Sequence, residues 1–177
     1  MTNENSELHH TALVRWKQGH QFFHLILVSM NTLLDEAESA LEKQNFIKLQ
    51  SVLERLTILY ESATASMKYT SDFSPQCYED TIRPSMMPPF LNPGFSGTQN
   101  KDHQQMIDSF SNLKENLNKQ LGSKEKWPSN IIKSWNAVSK AQIHNRKHHG
   151  LVCQKHVPDG VSLLKNFYKN NEKQYKY

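Results

Sequence analysis

Cysteine is scarce in this chain. Its two thiols, Cys77 and Cys153, form neither a Cys-x-x-Cys pair nor a zinc-ligand spacing, so a disulfide scaffold and a zinc module are excluded. Two free thiols fit a reducing compartment. Long apolar runs are missing too. The longest, 22–30, is broken by His24 and falls well short of the roughly 20 residues of a membrane span. No basic stretch leads into an apolar one at the N-terminus, so no secretory signal is read and a cytoplasmic location is the default expectation. Glycine is sparse, at 6 residues, and no glycine-rich phosphate loop occurs. The His-Glu-x-x-His zinc motif and a Ser-His-Asp signature are absent. A di-iron bundle needs Glu-x-x-His on two helices, and the chain does not carry that pair. The charge imbalance is small, 21 Lys and Arg against 17 Asp and Glu, a net +4. The lysines are dispersed and the one dense basic segment, 145–149, is short. This reads as a solvated surface, with no nucleic-acid partner expected.

What remains is helical. The 177 residues suit one domain, 1–177, able to bury roughly two-thirds of its unfolded surface. Leu27, Met30, Leu34, Ala37 and Leu41 repeat at spacings of three and four and predict a helix over about 7–43, with 1–8 largely unstructured. Phe46, Leu49, Val52, Leu53, Leu56, Leu59 and Ala63 predict a second over 45–69. The short link between them makes the two antiparallel neighbours. Five of the 7 prolines, Pro75, Pro84, Pro88, Pro89 and Pro93, then fall in one stretch with Gly94 and Gly97. Proline removes a backbone donor and restricts the residue before it, so only a short helical turn around 75–81 is expected there. Met86, Met87, Phe90, Leu91 and Phe95 make this loop too apolar for a linker. Residues 70–101 are read as a lid over a pocket. A third helix over 102–121 stops at Gly122, and a fourth starts after Pro128, with Ser129 as its cap, and runs to about 156. A short helix over 161–168 closes the chain. The fold class is all-α: a bundle of four main helices, a short C-terminal helix and a long Pro/Gly-rich lid.

Nine histidines are the oddity of the composition. On a helical wheel with Trp135 at zero, Ile131 and His149 both fall at about −40° and Cys153 near 0°. His148 and His144 fall at about −140° and 180°. This predicts His149 on the buried face and the other two opposite. His20 and His24 share the face of Leu27, Asn31 and Leu34 on the first helix. Buried imidazoles need partners, which a cavity holding a cofactor or water would supply.

These residues resemble the tryptophan 2,3-dioxygenase-like superfamily of histidine-ligated haem enzymes, which includes the haem-dependent aromatic oxygenases. His20-Gln21 resembles the His-Gln that opens the family's long helix, and Leu34-Asp35 its closing Leu-Asp step. Ile82-Arg83, followed by Pro93-Gly94-Phe95-Ser96-Gly97, is similar to its Phe-Arg and Ser-Gly-Phe-Gln-Ser. Trp135 and His149, followed by Leu151-Val152 and Lys155, are similar to its late Trp and His. The resemblance implies an iron-containing haem b, an oxygenase reaction, and a small aromatic or amino-acid-like substrate with dioxygen or peroxide as co-substrate. It implies His149 as the metal ligand, with His148 the alternative, and Trp135 beside the cofactor. It implies His20 on the distal side, Arg83 binding a substrate carboxylate, and Phe95, Ser96, His24 and Phe23 lining the substrate site. Self-association into a homo-oligomer is compatible with it. The competing expectation is a non-catalytic helical module that carries haem or another ligand, or docks a protein.

Overall fold

The computed structural model describes residues 3–92, 94, 95, 100–158 and 160, with the side chains of 3–6 outside the description. Four long helices carry the fold: α1 (Asn3–Glu42), α2 (Phe46–Thr70), α3 (Lys101–Leu121) and α4 (Ser129–His156). No strand occurs among the described residues, so the architecture is the all-α bundle expected from the three/four spacing. No described helix is long and apolar enough to cross a membrane.

The helix ends follow local chemistry. The Asn45 carboxamide accepts the Lys48 N–H and starts α2, and Asn100 accepts the His103 N–H and starts α3. Gly122, at φ 79°, ends α3 in the left-handed region that glycine tolerates best. Ser129 is not a cap: Pro128 holds the cap position and Ser129 is the first helical residue, because the proline φ already suits the chain's entry. At the other end, α1 is helical from Asn3, so the helix extends into the segment read as unstructured.

The side-chain bonds between helices fix the packing. α1 and α2 run antiparallel, joined through Gln44 at φ 51°. Asn31 donates to the Asp102 carbonyl and Asn116 to Glu38, which sets α3 parallel to α1. Asn130 donates to Gln50 and Asn145 to Thr64, which sets α4 parallel to α2. The core between them is built from Leu27, Leu34, Leu41, Leu53, Leu113 and Ile131, all essentially without solvent contact. Gly19 lets α1 and α2 approach closely, since a Cβ there would stand 1.8 Å from Thr70 Oγ1.

Between α2 and α3 the chain is more ordered than its prolines suggest. The expected turn at 75–81 is helical through Pro75–Cys77, Tyr78–Ile82 and Arg83–Ser85, the middle stretch winding wider as a π-turn. Ser74 caps it by accepting the Cys77 N–H, with Pro75 at its first turn. The Arg83 N–H reaches back to the Tyr78 carbonyl. Pro84 follows the π-turn as the second residue of the closing Arg83–Ser85 turn, an early helical position that tolerates its missing donor. Cys77 and Ile82 join Ala12 in a second small core, with Trp16, Phe73, Tyr78 and Met86 packed on it. The expected helix over 161–168 lies outside the described residues.

Candidate functional site

The chemistry-bearing side chains collect at one end of the bundle, where α1 is young, α2 ends, α3 begins and α4 finishes. His20 is half-buried. Its ring lies against Trp16, with centroids 4.2 Å apart, and edge-on to Phe95 at 5.7 Å. Its Nδ1 is 2.8 Å from the Trp16 carbonyl. A carbonyl only accepts, so Nδ1 carries the hydrogen and Nε2 keeps its lone pair. Burial pushes the His20 pKa below the ordinary histidine value, against the smaller opposing pull of that hydrogen bond. The segment between α2 and α3, read from the sequence as a lid, thus meets α1 where Phe95 touches His20. The backbone secures the contact, since the Phe95 N–H donates to the Met86 carbonyl at 2.8 Å.

His149 is the main correction. It is exposed, as is Cys153, although the wheel placed both on the buried face. The buried stripe of α4 runs through Ser134, Val138 and Ala141 to half-buried Asn145, His148 and Val152 and then to buried His156, along α2. Trp135 is buried for a different reason. It stacks on Phe110 of α3 at 5.0 Å and meets Trp127 edge-on at 5.9 Å. It therefore marks the edge of the stripe, and a wheel zeroed on it is rotated away from α2. Trp135 is also three to four turns, about 21 Å, from His149 and belongs to the core at the opposite end.

The remaining expected residues divide. His148 is half-buried on the other side of α4 and packs against His144 at 4.4 Å. Burial, followed by the charges of Lys68, His144 and Lys147, lowers its pKa. His24 is exposed and pairs with Asp102 at 3.5 Å. Phe23 packs against the main core. Arg83 is buried, and one of its nitrogens lies 2.6 and 2.9 Å from the two Glu79 carboxylate oxygens. A substrate carboxylate at Arg83 would therefore compete with one already in place. Ser96 lies outside the described residues.

Two histidines were missed. His103, in the first turn of α3, is half-buried; burial first and the charge of His149 second push its pKa down. Its sequence signal was present: 103, 106, 110, 113 and 117 repeat at three and four, and Met106, Phe110, Leu113 and Leu117 are the buried face of α3. His156 closes α4 against the end of α2. Its Nε2 lies 3.2 Å from the Ser71 carbonyl, and its ring sits 4.8 Å from Phe73 and 5.2 Å from Tyr78. Cys153 Sγ lies 3.9 Å from both ring nitrogens of His149, one turn earlier. No group of three or more His, Cys, Asp or Glu residues placed to hold a bare metal ion occurs among the described residues.

The sequence profile described as SfmD 3-methyl-L-tyrosine peroxygenase matches residues 1–129. The chain belongs to this peroxygenase family. A curated relative, the 3-methyl-L-tyrosine peroxygenase of Streptomyces lavendulae, is 22% identical over 108 residues. That alignment takes in 61% of this chain and 30% of the relative. No solved structure matches. The family found is thus an aromatic peroxygenase family, and not specifically the tryptophan dioxygenase group that the short motifs resemble. In this member of the peroxygenase family, α1, α2, the lid and α3 lie within the matched residues, with His20, Arg83, Phe95 and His103. The α4 residues His149 and Cys153 lie beyond them.

Proposed function

We propose that this chain is a haem-dependent oxygenase acting on a small aromatic, amino-acid-like substrate. Peroxide is the oxidant suggested by the relative's name, with dioxygen the alternative. The observation that carries the reading is the placement of His103, in the first turn of α3, and His149, in the last turns of α4, at the same end of the bundle, near enough for one to lower the pKa of the other. The two imidazoles come from antiparallel helices, and a thiol lies beside the second. This donor set fits a haem iron, whose usual protein ligands include histidine. It fits it on the exposed flank of α4, outside the bundle interior. His149 would hold the iron, with His103 on the antiparallel helix. When bound, the haem supplies the oxidative chemistry.

The chain's own residues would do the rest. His20 is neutral at pH 7 because burial lowers its proton affinity, and its Nε2 lone pair can accept a proton from a phenol or a peroxide. Trp16 and Phe95 meet edge-on at 5.9 Å beside it, giving an apolar wall suited to an aromatic ring. Arg83 and Glu79 would hold the helical turn of the lid in place, with Arg83 the group that would meet a substrate carboxylate.

The test is hemin reconstitution followed by absorption spectroscopy. The parent protein should give a Soret band with hemin, and His149→Ala and His103→Ala should lose or strongly shift it. His144→Ala, on the other side of α4, should keep it. Circular dichroism checks that each variant is folded. A parent that cannot take up hemin discards the reading, and a full spectrum in His149→Ala moves the iron elsewhere.

A further inference from the structure

The outer face of α1 is unusual for a surface helix. From Gln18 to Leu34 the sequence has no Asp, Glu, Lys or Arg on any side. A helix uncharged all round is normally covered all round. Here α2 and α3 cover one side only, and Phe22, Leu25 and Val28 are 51%, 63% and 45% exposed on the other. The two hydroxyls on this face are already satisfied: Ser29 donates to the Leu25 carbonyl and Thr32 to the Val28 carbonyl, so neither requires water. Beside Phe22, a shallow groove of about 350 Å³ between α1 and α2 is lined by Gln18, Gly19, Ala65, Ser66 and Tyr69.

We propose that this face is the contact surface between two copies of the chain, with the α1 helices crossing antiparallel about a two-fold axis near Leu25. The charges that bound the neutral stretch argue for the second copy. Exposed Lys17 precedes it and exposed Asp35 follows it. Neither has an ion-pair partner among the described residues. They are five turns apart, about 27 Å, and so lie in line on one side of the helix. A two-fold axis midway between them, at the level of residue 26, brings Lys17 of each copy to the same level as Asp35 of the other, within reach of the long lysine side chain. The surface is self-complementary, as an isologous contact requires. A strip of that length and two helices wide, roughly 20 Å, covers about 500 Å² on each copy, near the lower limit for a specific interface. The contact leaves His20, His103 and His149 outside it, so it stands or falls independently of haem binding.

Sedimentation of the full chain across a concentration series is the test. The parent should form a dimer. Leu25→Glu, at an exposed position, should weaken it about 30-fold or more while keeping its helical spectrum. Lys17→Glu should weaken it about 10-fold at low salt, since both cross-axis pairs become repulsive. The swapped variant Lys17→Glu/Asp35→Lys should restore parental association, which only antiparallel pairing of like chains explains. A parent that stays monomeric, a dimer indifferent to Leu25→Glu, or a swap that fails to rescue each overturns the proposal.

Discussion

Gly19 offers a sharp test of how α1 is seated. A Cβ at this position would lie 1.8 Å from Thr70 Oγ1, 2.7 Å from Thr70 Cβ and 2.8 Å from Thr70 Cγ2. The hydroxyl cannot simply swing away without losing its 2.6 Å bond to the Ser66 carbonyl. The Cβ contact cannot be relieved by any rotation, because that atom is fixed to the α2 backbone. Carbon atoms pack at about 3.5–4.0 Å, so Gly19→Ala must separate the helices by roughly an ångström. Alanine gains about 1 kcal/mol in helix propensity over glycine, and overpacking typically costs about 1–3 kcal/mol. The expected net loss is up to about 2 kcal/mol, or a fall of up to about 8 °C in Tm for a chain of this size. Thermal unfolding followed at 222 nm measures it. Thr70→Ala should rescue only part of the loss, since its Cβ remains. Thr70→Gly should rescue the steric part fully, apart from its own helix cost. Gly19→Ala should also weaken the packing of neighbouring His20 on Trp16 and Phe95. A Gly19→Ala protein more stable than the parent would refute the close crossing.

Other consequences can be measured alongside. Arg83→Ala should lower stability by about 1–3 kcal/mol, because the buried guanidinium and its Glu79 partner brace the lid helix; unchanged urea unfolding would show the pair to be dispensable. Burial lowers the pKa of both His20 and His156, so the unfolded chain takes up protons before the folded one. Stability should therefore be full above about pH 6.5 and fall as the pH drops toward their folded values; His156→Phe should flatten that fall, and an unchanged profile would remove His156 as a cause. Burial drives the Tyr60 phenol in the opposite direction, up to about 12. The unfolded tyrosine ionises first, so stability should decline above about pH 10, and Tyr60→Phe should reduce the decline seen in alkaline unfolding curves.

The sequence made the helices legible because their signals are local. Three/four spacing located the first two, Gly122 ended α3 where a left-handed residue was needed, and Pro128 marked the start of α4. The lid was harder. Its prolines argued against helix, yet Pro75 sits where a helix accepts proline and Pro84 sits early in the closing turn. The Glu79–Arg83 spacing of four was itself a helix signal, and it also foretold that Arg83 would have a carboxylate partner. His20 and Phe95 meet edge-on at 5.7 Å, a contact between residues far apart in sequence that no local pattern reports. His149 did not go inside, because burial on α4 is decided by two different neighbours. α3 covers the Trp135 side near the start of α4, and α2 alone sets the stripe beyond it. A single wheel assumes one neighbour along the whole helix, and no local pattern reports where that neighbour changes.

That change of neighbour also explains why the candidate chemistry gathers where it does. At the end formed by Leu41, Leu49, Leu117, Trp127 and Trp135, four helices close on one another and the interior is apolar. At the other end α1 extends past the core toward the lid, and α4 continues along α2 without α3 across its Trp135 side. His149 and Cys153 are left on an open flank, and His20 packs edge-on against Phe95. A closed bundle end excludes water and stabilises the fold, whereas the open end leaves its polar side chains accessible. The histidines of the candidate site, 20, 103 and 149, all belong to the open end, although they lie on three helices and far apart in sequence. Their grouping comes from helix length and direction: α1 starts, α3 starts and α4 finishes on the same side. On this argument, shortening α1 from its N-terminus should free the lid without melting the main core. Deleting residues through Thr11 removes the His9 partner of Thr81, a 2.8 Å contact, and uncovers Cys77. The truncated protein should keep most of its helical signal while Cys77 becomes reactive toward a thiol reagent. Loss of the whole cooperative transition instead would show that the lid and the bundle are one unit.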